Sequence, residues 1–252
     1  MNTIEVIAIE GIPIVNPGDD VAALICRAAE EQGSPLQDGD ILVVTHKIVS
    51  KAENRIVKLS DVHPSPFAET IAERSIKSPE MIELILQEAQ SIVKMRRGSL
   101  ITRTKQGWIC ANSGIDISNV SGGDSVVLLP INPDRSARKI RRGIKEITGR
   151  DMAVIISDTT GRPLRNGQID VAIGVAGIEP LHDLRREKDL FDYTLRVKKV
   201  AIADELSSAA ELVIGQAREG IPAAIIRGFK YRRDDRARSK RLLRPPDREM
   251  FI

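Results

Sequence analysis

The chain has 252 residues, 42% apolar and 29% charged, with a formal net charge of +3. A chain of this length can hold a core without disulfides or a structural metal, and its two cysteines are too few for a disulfide framework. No apolar run approaches the ~18 residues of a spanning helix, and the opening MNTIEVIAIEGIP lacks a basic n-region, so a cytoplasmic protein is expected.

In chain order, Ile4–Ile9 predicts a strand, broken by Glu10-Gly11-Ile12-Pro13. Asp19 is positioned to cap a helix with Val21, Leu24, Ile25 and Ala28 on one face. Ile41–Thr45 predicts a second strand, entered through Asp38-Gly39-Asp40. Ser65-Pro66 and Ser78-Pro79 each place a cap before a first-turn proline. The second of these helices, with Ile82, Ile85, Leu86 and Ala89 in phase, is expected to run on to Arg96-Arg97-Gly98.

Ser99–Thr104 and Trp108–Ala111 flank Lys105-Gln106-Gly107 as a hairpin, and the polar run from Asn112 to Asn119 predicts irregular backbone. Ser125–Leu129 ends at Pro130. Asn132-Pro133 opens a helix with Ala137, Ile140, Ile144 and Ile147 on one side and Gly149 as its stop. Met152–Ser157 predicts a buried strand, and Asp158 to Gly177 a Gly-rich loop span. Arg196–Ala203 predicts a strand, Asp204–Arg218 a helix and Pro222–Arg227 a last strand. Helices and strands alternate with no repeat and no linker, the pattern of an α/β or α+β protein.

Basicity is concentrated at the end: from Arg227 onward ten Lys/Arg face four Asp/Glu. That tail raises a phosphate- or nucleic-acid-binding reading, but acids interrupt it. A solvated helix packing Leu242 and Leu243 is the expectation. Seven aromatics in the whole chain leave few stacking platforms.

No Walker, dinucleotide-binding, zinc or nucleophile-elbow motif is present. His46, His63 and His182 lack zinc spacing, and Cys26 and Cys110 read as inert packing. Chemistry is left to polar residues at strand ends. Asp158-Thr159-Thr160-Gly161-Arg162 follows a buried strand, and its oxygens suit Mg2+ or Mn2+. Asp116 and Asn119, the run Thr45-His46-Lys47 to Lys51, and Ile214 to Pro222 add carboxylates, hydroxyls and a lysine able to meet phosphate. Turn caps, Asx-turns and a surface lysine explain the same residues singly. Together they suit phosphoryl transfer better than acyl-transfer hydrolysis.

The ordered segments Glu10-Gly11-Ile12-Pro13, Gly39 to Val44, Ser50-Lys51-Ala52-Glu53, Gly114-Ile115-Asp116 with Ser118-Asn119, Leu128-Leu129-Pro130, Ser157-Asp158-Thr159, Gly161-Arg162-Pro163, Gly167-Gln168, Ala172-Ile173-Gly174, Ala203-Asp204-Glu205 and Gly215-Gln216 to Gly220-Ile221-Pro222 resemble the coenzyme F420-0:γ-glutamyl ligase family over roughly residues 5–230. The resemblance implies an α+β, interleaved two-lobed mixed fold, with residues 1–230 as catalytic core and 231–252 as a basic extension. It implies a homodimer that adds L-glutamate to coenzyme F420-0 with GTP, through an acyl phosphate, using two divalent cations (Mg2+ or Mn2+) and K+ as an optional helper. Neither membrane nor nucleic acid is an expected partner.

By position, the resemblance makes Glu10, Gly11, Ile12, Pro13, Thr45, His46, Lys51, Asn119 and Ile214, Gly215, Gln216, Ala217, Arg218, Glu219, Gly220, Ile221 the GTP site. Asp116 and Asp158 hold one metal, Thr159 and Gln216 the other, and Lys51, Asp116 and Asp158 carry catalysis. Arg162 and Arg165 are candidates for the polyanionic acceptor. Two departures stand out. Ser113 replaces an alanine of the family pattern, and the stretch Arg185–Tyr193 lacks glycines expected near Arg186 and Asp192. A paralogue with a different acceptor is the alternative that this loop keeps open.

Overall fold

The computed structural model describes residues 3–96, 98–117 and 123–248. In chain order its elements begin with β1 (Glu5–Ala8), α1 (Val21–Glu31), β2 (Ile41–Thr45), α2 (His46–Ala52) and β3 (Ile56–Lys58). α3 (Pro66–Ala72), α4 (Pro79–Glu88), β4 (Ala89–Arg96), β5 (Ser99–Thr104), β6 (Ile109–Ala111) and β7 (Ser125–Val127) follow. The rest is α5 (Pro133–Thr148), β8 (Ala153–Gly161), β9 (Gln168–Ala176), β10 (His182–Asp183), β11 (Lys199–Val200), α6 (Ile202–Ile214) and β12 (Ala223–Arg227).

The main sheet runs β1-β12-β2-β8-β9. β2 and β8 are parallel and every other neighbouring pair is antiparallel, giving the α+β class expected. Its centre is apolar on both faces because alternate side chains leave opposite sides of a strand. Leu42, Val44, Val154, Ile156 and Ile225 pack under α1 and α5. Ile41, Val43, Ala153, Ile155, Ala224 and Ile226 pack under α6. Between β2 and β8 the chain makes a second structured part, with a β3–β7 pair, the sheet β4-β5-β6 and a small core of Ala68, Ile71, Ile82, Ile85 and Leu100.

Ser65, Ser78 and Asn132 cap their helices as their spacing implies, accepting from the N–H groups of Ala68, Met81 and Arg135. Four expectations need correction. The cap of α1 is Asp20, not Asp19; Asp20 accepts from Ala22 and Ala23, while Asp19 Oδ2 accepts from the N–H of Asn16. α4 stops at Glu88, because Ala89–Arg96 pairs with Ser99–Thr104 instead of continuing the helix. The span after Ser157 is no loop: β8 and β9 form a long antiparallel pair as far as Gly161 and Gln168. The strand expected over Arg196–Ala203 shrinks to two residues, and the following helix begins at Ile202 and ends at Ile214, short of Arg218.

The basic tail is not the helix expected. It crosses the α6 face of the sheet with Tyr231, Ala237 and Leu242 in that core and makes two short 3-10 turns, Ser239–Leu242 and Pro246–Arg248. Its charges are partly engaged, Arg241 with Glu179 and Asp234, and Asp235 with Arg141. Arg186 and Asp192, where the family pattern leads one to expect glycines, take φ of 77° and 63°. The backbone there keeps a glycine-like conformation without glycine. Both cysteines are free. Burial pushes the thiols up, Cys26 to about 11 and Cys110 to about 12, with the Asp158 charge adding to the second, as inert packing requires. No helix among the described residues is long and apolar enough to cross a membrane.

Candidate active site

A cavity of about 490 Å³ opens where β2 ends and β12 begins. Thr45 N–H donates to Pro222 O there, at 2.9 Å, tying the two strand ends together. Ile12 and Pro13, after β1, form one wall, and Thr45, His46 and Lys51 enter from β2 and α2. β8 outruns its parallel partner β2, which stops opposite Ser157, and so carries Asp158 and Thr159 into the space. The remaining wall is the turn after α6, unbroken from Ile214 to Pro222. The lining thus mixes apolar side chains with oxygen-bearing and cationic ones.

The structure thus gathers Ile12, Pro13, Thr45, His46, Lys51, Asp158, Thr159 and residues 214–221 around one space. Glu10 and Gly11 precede the wall without lining it; the Glu10 N–H is taken by Gln32 Oε1 at 2.9 Å. Asp116 meets the site through Lys47, whose Nζ lies 2.9 Å from Asp116 Oδ2. Asn119 lies outside the described residues. Arg162 and Arg165 sit in the β8–β9 turn, away from the cavity lining, and Arg162 Nη2 donates to Asn166 O at 2.6 Å.

His46 is 2% exposed. Its Nε2 stands 3.2 Å from Asp158 Oδ1 but without the alignment of a hydrogen bond, so this buried nitrogen has no true partner. Burial, then the neighbouring Lys47 charge, lowers the Lys51 ammonium below its ordinary value; Asp116 opposes that shift.

Two residues at the site escaped the sequence reading. Asp170 on β9 pairs with Thr159 across the hairpin and is 2% exposed. Ser157 Oγ donates to its Oδ2 and Thr159 Oγ1 to its Oδ1, each at 2.8 Å, and Gln216 Nε2 reaches Oδ1 at 3.1 Å. Glu211 on α6 accepts from Gln216 Nε2 at 2.8 Å and from the Asp170 N–H at 2.9 Å. Burial raises the Asp170 carboxyl above its ordinary value, against the pull of the Ser157 and Thr159 hydroxyls. Its only sequence signal is an acid inside the strand pattern Gln168-Ile169-Asp170-Val171, unusual where Val and Ile set the rule.

The donor set fits a hard cation. Thr159 Oγ1 lies 2.8 Å from Asp170 Oδ1 and 3.0 Å from Gln216 Oε1, yet one hydroxyl proton serves only one of them. The charged, nearer carboxylate is the better acceptor, which leaves the Thr159 and Gln216 oxygens facing each other as lone pairs. Among the described residues no group of three or more His, Cys, Asp or Glu side chains converges. Any Mg2+ here would rely on one or two carboxylates, neutral oxygens and substrate phosphate, its usual manner at nucleotide sites.

The family model described as F420-0:gamma-glutamyl ligase matches residues 11–228. Similar proteins named coenzyme F420:L-glutamate ligase include one from Methanothermobacter thermautotrophicus, 49% identical over 98% of both chains. Another, from Methanopyrus kandleri, is 45% identical over 100% of both. A third, from Archaeoglobus fulgidus, is 40% identical over 90% of this chain and 88% of its own.

Proposed function

Since the chain belongs to the F420-0:gamma-glutamyl ligase family, we propose that it joins L-glutamate to the terminal carboxylate of coenzyme F420-0, using GTP. The observation that carries this reading is the cavity itself. Its volume of about 490 Å³ lies within the usual range for small-molecule sites. Its lining offers apolar residues for a base together with Lys51, Asp158, Thr159 and Gln216 for a metal-bound triphosphate.

A carboxylate is a poor acyl donor toward an amine. Transfer of the GTP γ-phosphoryl group to the acceptor carboxylate makes an acyl phosphate and GDP; attack by the glutamate α-amine then forms the amide and releases phosphate. Ile12, Pro13, Ile214 and Ile221 hold the base, and Lys51 and the Thr45 hydroxyl contact phosphate. Lys51 is suited to this because its partly buried ammonium is less screened than a surface one. Asp158 and Asp116 would hold one divalent cation, Thr159 and Gln216 a second. When bound, Mg2+ or Mn2+ neutralises charge building on the phosphate oxygens. His46 lies buried beside Asp158 on the cavity wall. The apolar walls limit water, which would hydrolyse the acyl phosphate. Arg162 and Arg165 meet the acceptor's negative charge, and a homodimer is the working assembly.

The test is incubation with GTP, Mn2+, L-glutamate and unglutamylated coenzyme. GDP and phosphate should appear in step with a product heavier by one glutamyl residue. GDP formation that ignores the coenzyme, or product formation without nucleotide, would overturn the reading. The Arg162→Ala/Arg165→Ala double variant should raise the acceptor KM and leave that for GTP unchanged.

A further inference from the structure

We propose that Asp170 and Glu211 are positioning residues that lock the Gln216 carboxamide and the Thr159 hydroxyl with their oxygens turned together toward the cavity. The inference rests on the cation-dependent reading above and assigns roles to two side chains outside that reading.

An amide has two faces that differ only in where N and O lie. Here the choice is forced. Gln216 Nε2 is within 3.1 Å of Asp170 Oδ1 and 2.8 Å of Glu211 Oε1, two carboxylates on different elements. A flipped amide would set its oxygen against both. Both amide hydrogens are thereby used, and Oε1 is left aimed at Thr159 Oγ1, 3.0 Å away. Asp170 performs the matching task on the other partner by taking the Thr159 proton.

The two carboxylates are themselves fixed. Ser157 Oγ donates to the second Asp170 oxygen and Ser208 Oγ to its backbone carbonyl, each at 2.8 Å, and the Asp170 N–H donates to Glu211 Oε2 at 2.9 Å. Strand β9, helix α6 and the turn after it thus meet at one buried carboxylate. A network serving stability alone would not need to leave two acceptor oxygens unshielded from each other at a cavity wall. Partners of this outer kind, when removed from known metal sites, cost about 10- to 100-fold in metal affinity.

The experiment titrates Mn2+ into the full-length protein with GDP present, reading free Mn2+ by electron paramagnetic resonance. Asp170→Ala and Glu211→Ala should each need about 10- to 100-fold more Mn2+ than wild type, with metal-free GDP affinity unchanged. Asp170→Asn should recover most of the loss. Its Oδ1 can still accept from Thr159 and Gln216, and its amide can donate to the Ser157 hydroxyl. Either alanine variant binding Mn2+ as wild type does would overturn the assignment. So would parallel losses of Mn2+ and GDP without recovery in Asp170→Asn. If Asp170→Ala does not fold, Glu211→Ala at the half-buried end of the network decides. A wild-type protein that leaves Mn2+ free would instead overturn the cation-dependent function, and this assignment with it.

Discussion

Gly215 closes α6 with φ 75° and ψ 175°, and a Cβ there would stand 2.4 Å from Glu219 Cδ and 2.6 Å from its Cγ. That backbone region is essentially restricted to glycine, so an L-residue costs about 2 kcal/mol in strain. The methyl group must also displace the exposed, flexible Glu219 side chain, whose Oε2 accepts from the Ala217 N–H at 2.8 Å. Gly215→Ala should therefore disfavour the present turn by about 2 kcal/mol, or roughly 30-fold in nucleotide affinity if this turn conformation is the one that binds. Gly220 is the internal control. It is also left-handed, φ 71°, but nothing lies within 4 Å of a Cβ, so Gly220→Ala should cost about 1 kcal/mol and roughly fivefold. Calorimetric GDP titration measures both, and thermal unfolding checks that the core is intact. Equal affinities for the two variants, or Gly215→Ala within threefold of wild type, would refute the reasoning.

Arg227 makes a two-nitrogen contact with Asp40 at 2.9 and 2.8 Å, and Asp40 is 2% exposed. Arg227→Ala strands that carboxylate and should lower urea-unfolding stability by about 3 kcal/mol, with Arg227→Lys recovering part. Ser113 donates to Ile85 O at 2.8 Å and meets Thr102 Oγ1 at 2.9 Å. Ser113→Ala should destabilise this chain by about 1–2 kcal/mol, because the Ile85 carbonyl loses its donor; no change in the urea midpoint would refute this. Burial, opposed by the Ala172 N–H, raises the Asp204 carboxyl above its ordinary 3.8. The folded state thus holds this proton more tightly than the unfolded state does. The resulting stability is present below 3.8 and lost as pH rises through the folded value. Asp204→Asn never titrates and still accepts from Ala172, so the wild-type advantage should shrink from about pH 3 to about pH 7 in paired urea melts. A gap that widens would reverse the sign of the argument.

Much of the fold was legible where local signals were complete. Ile41–Thr45 is a strand at the residues expected, since a short run of four β-favouring apolar residues follows the Asp38-Gly39-Asp40 turn. Ser65, Ser78 and Asn132 cap because their prolines and following N–H groups are local facts. The errors arise where pairing decides. Ala89 is in helical phase with Leu86, and only the partner strand Ser99–Thr104 makes Ala89–Arg96 extended. Likewise Asp158 to Gly161 looks like loop composition until Val171 to Gln168 is set against it. The same pairing hid the site's hub. Asp158 and Thr159 stood out at a strand end, whereas Asp170 reaches Thr159 only across the hairpin, a relation no linear spacing displays.

The central parallel pair, β2 with β8, is separated in sequence by everything from His46 to Met152, including the whole second part with its own small core. Non-local closures of that length are entropically slow. The nascent chain should accordingly organise Pro66–Leu100 early and join its central ladder late. Until it does, Ile41–Val44 and Val154–Ile156 remain exposed strand edges. Assembly of the cavity, which straddles that seam, then waits on that closure, and a ligand that binds there would act as a latch on a late step.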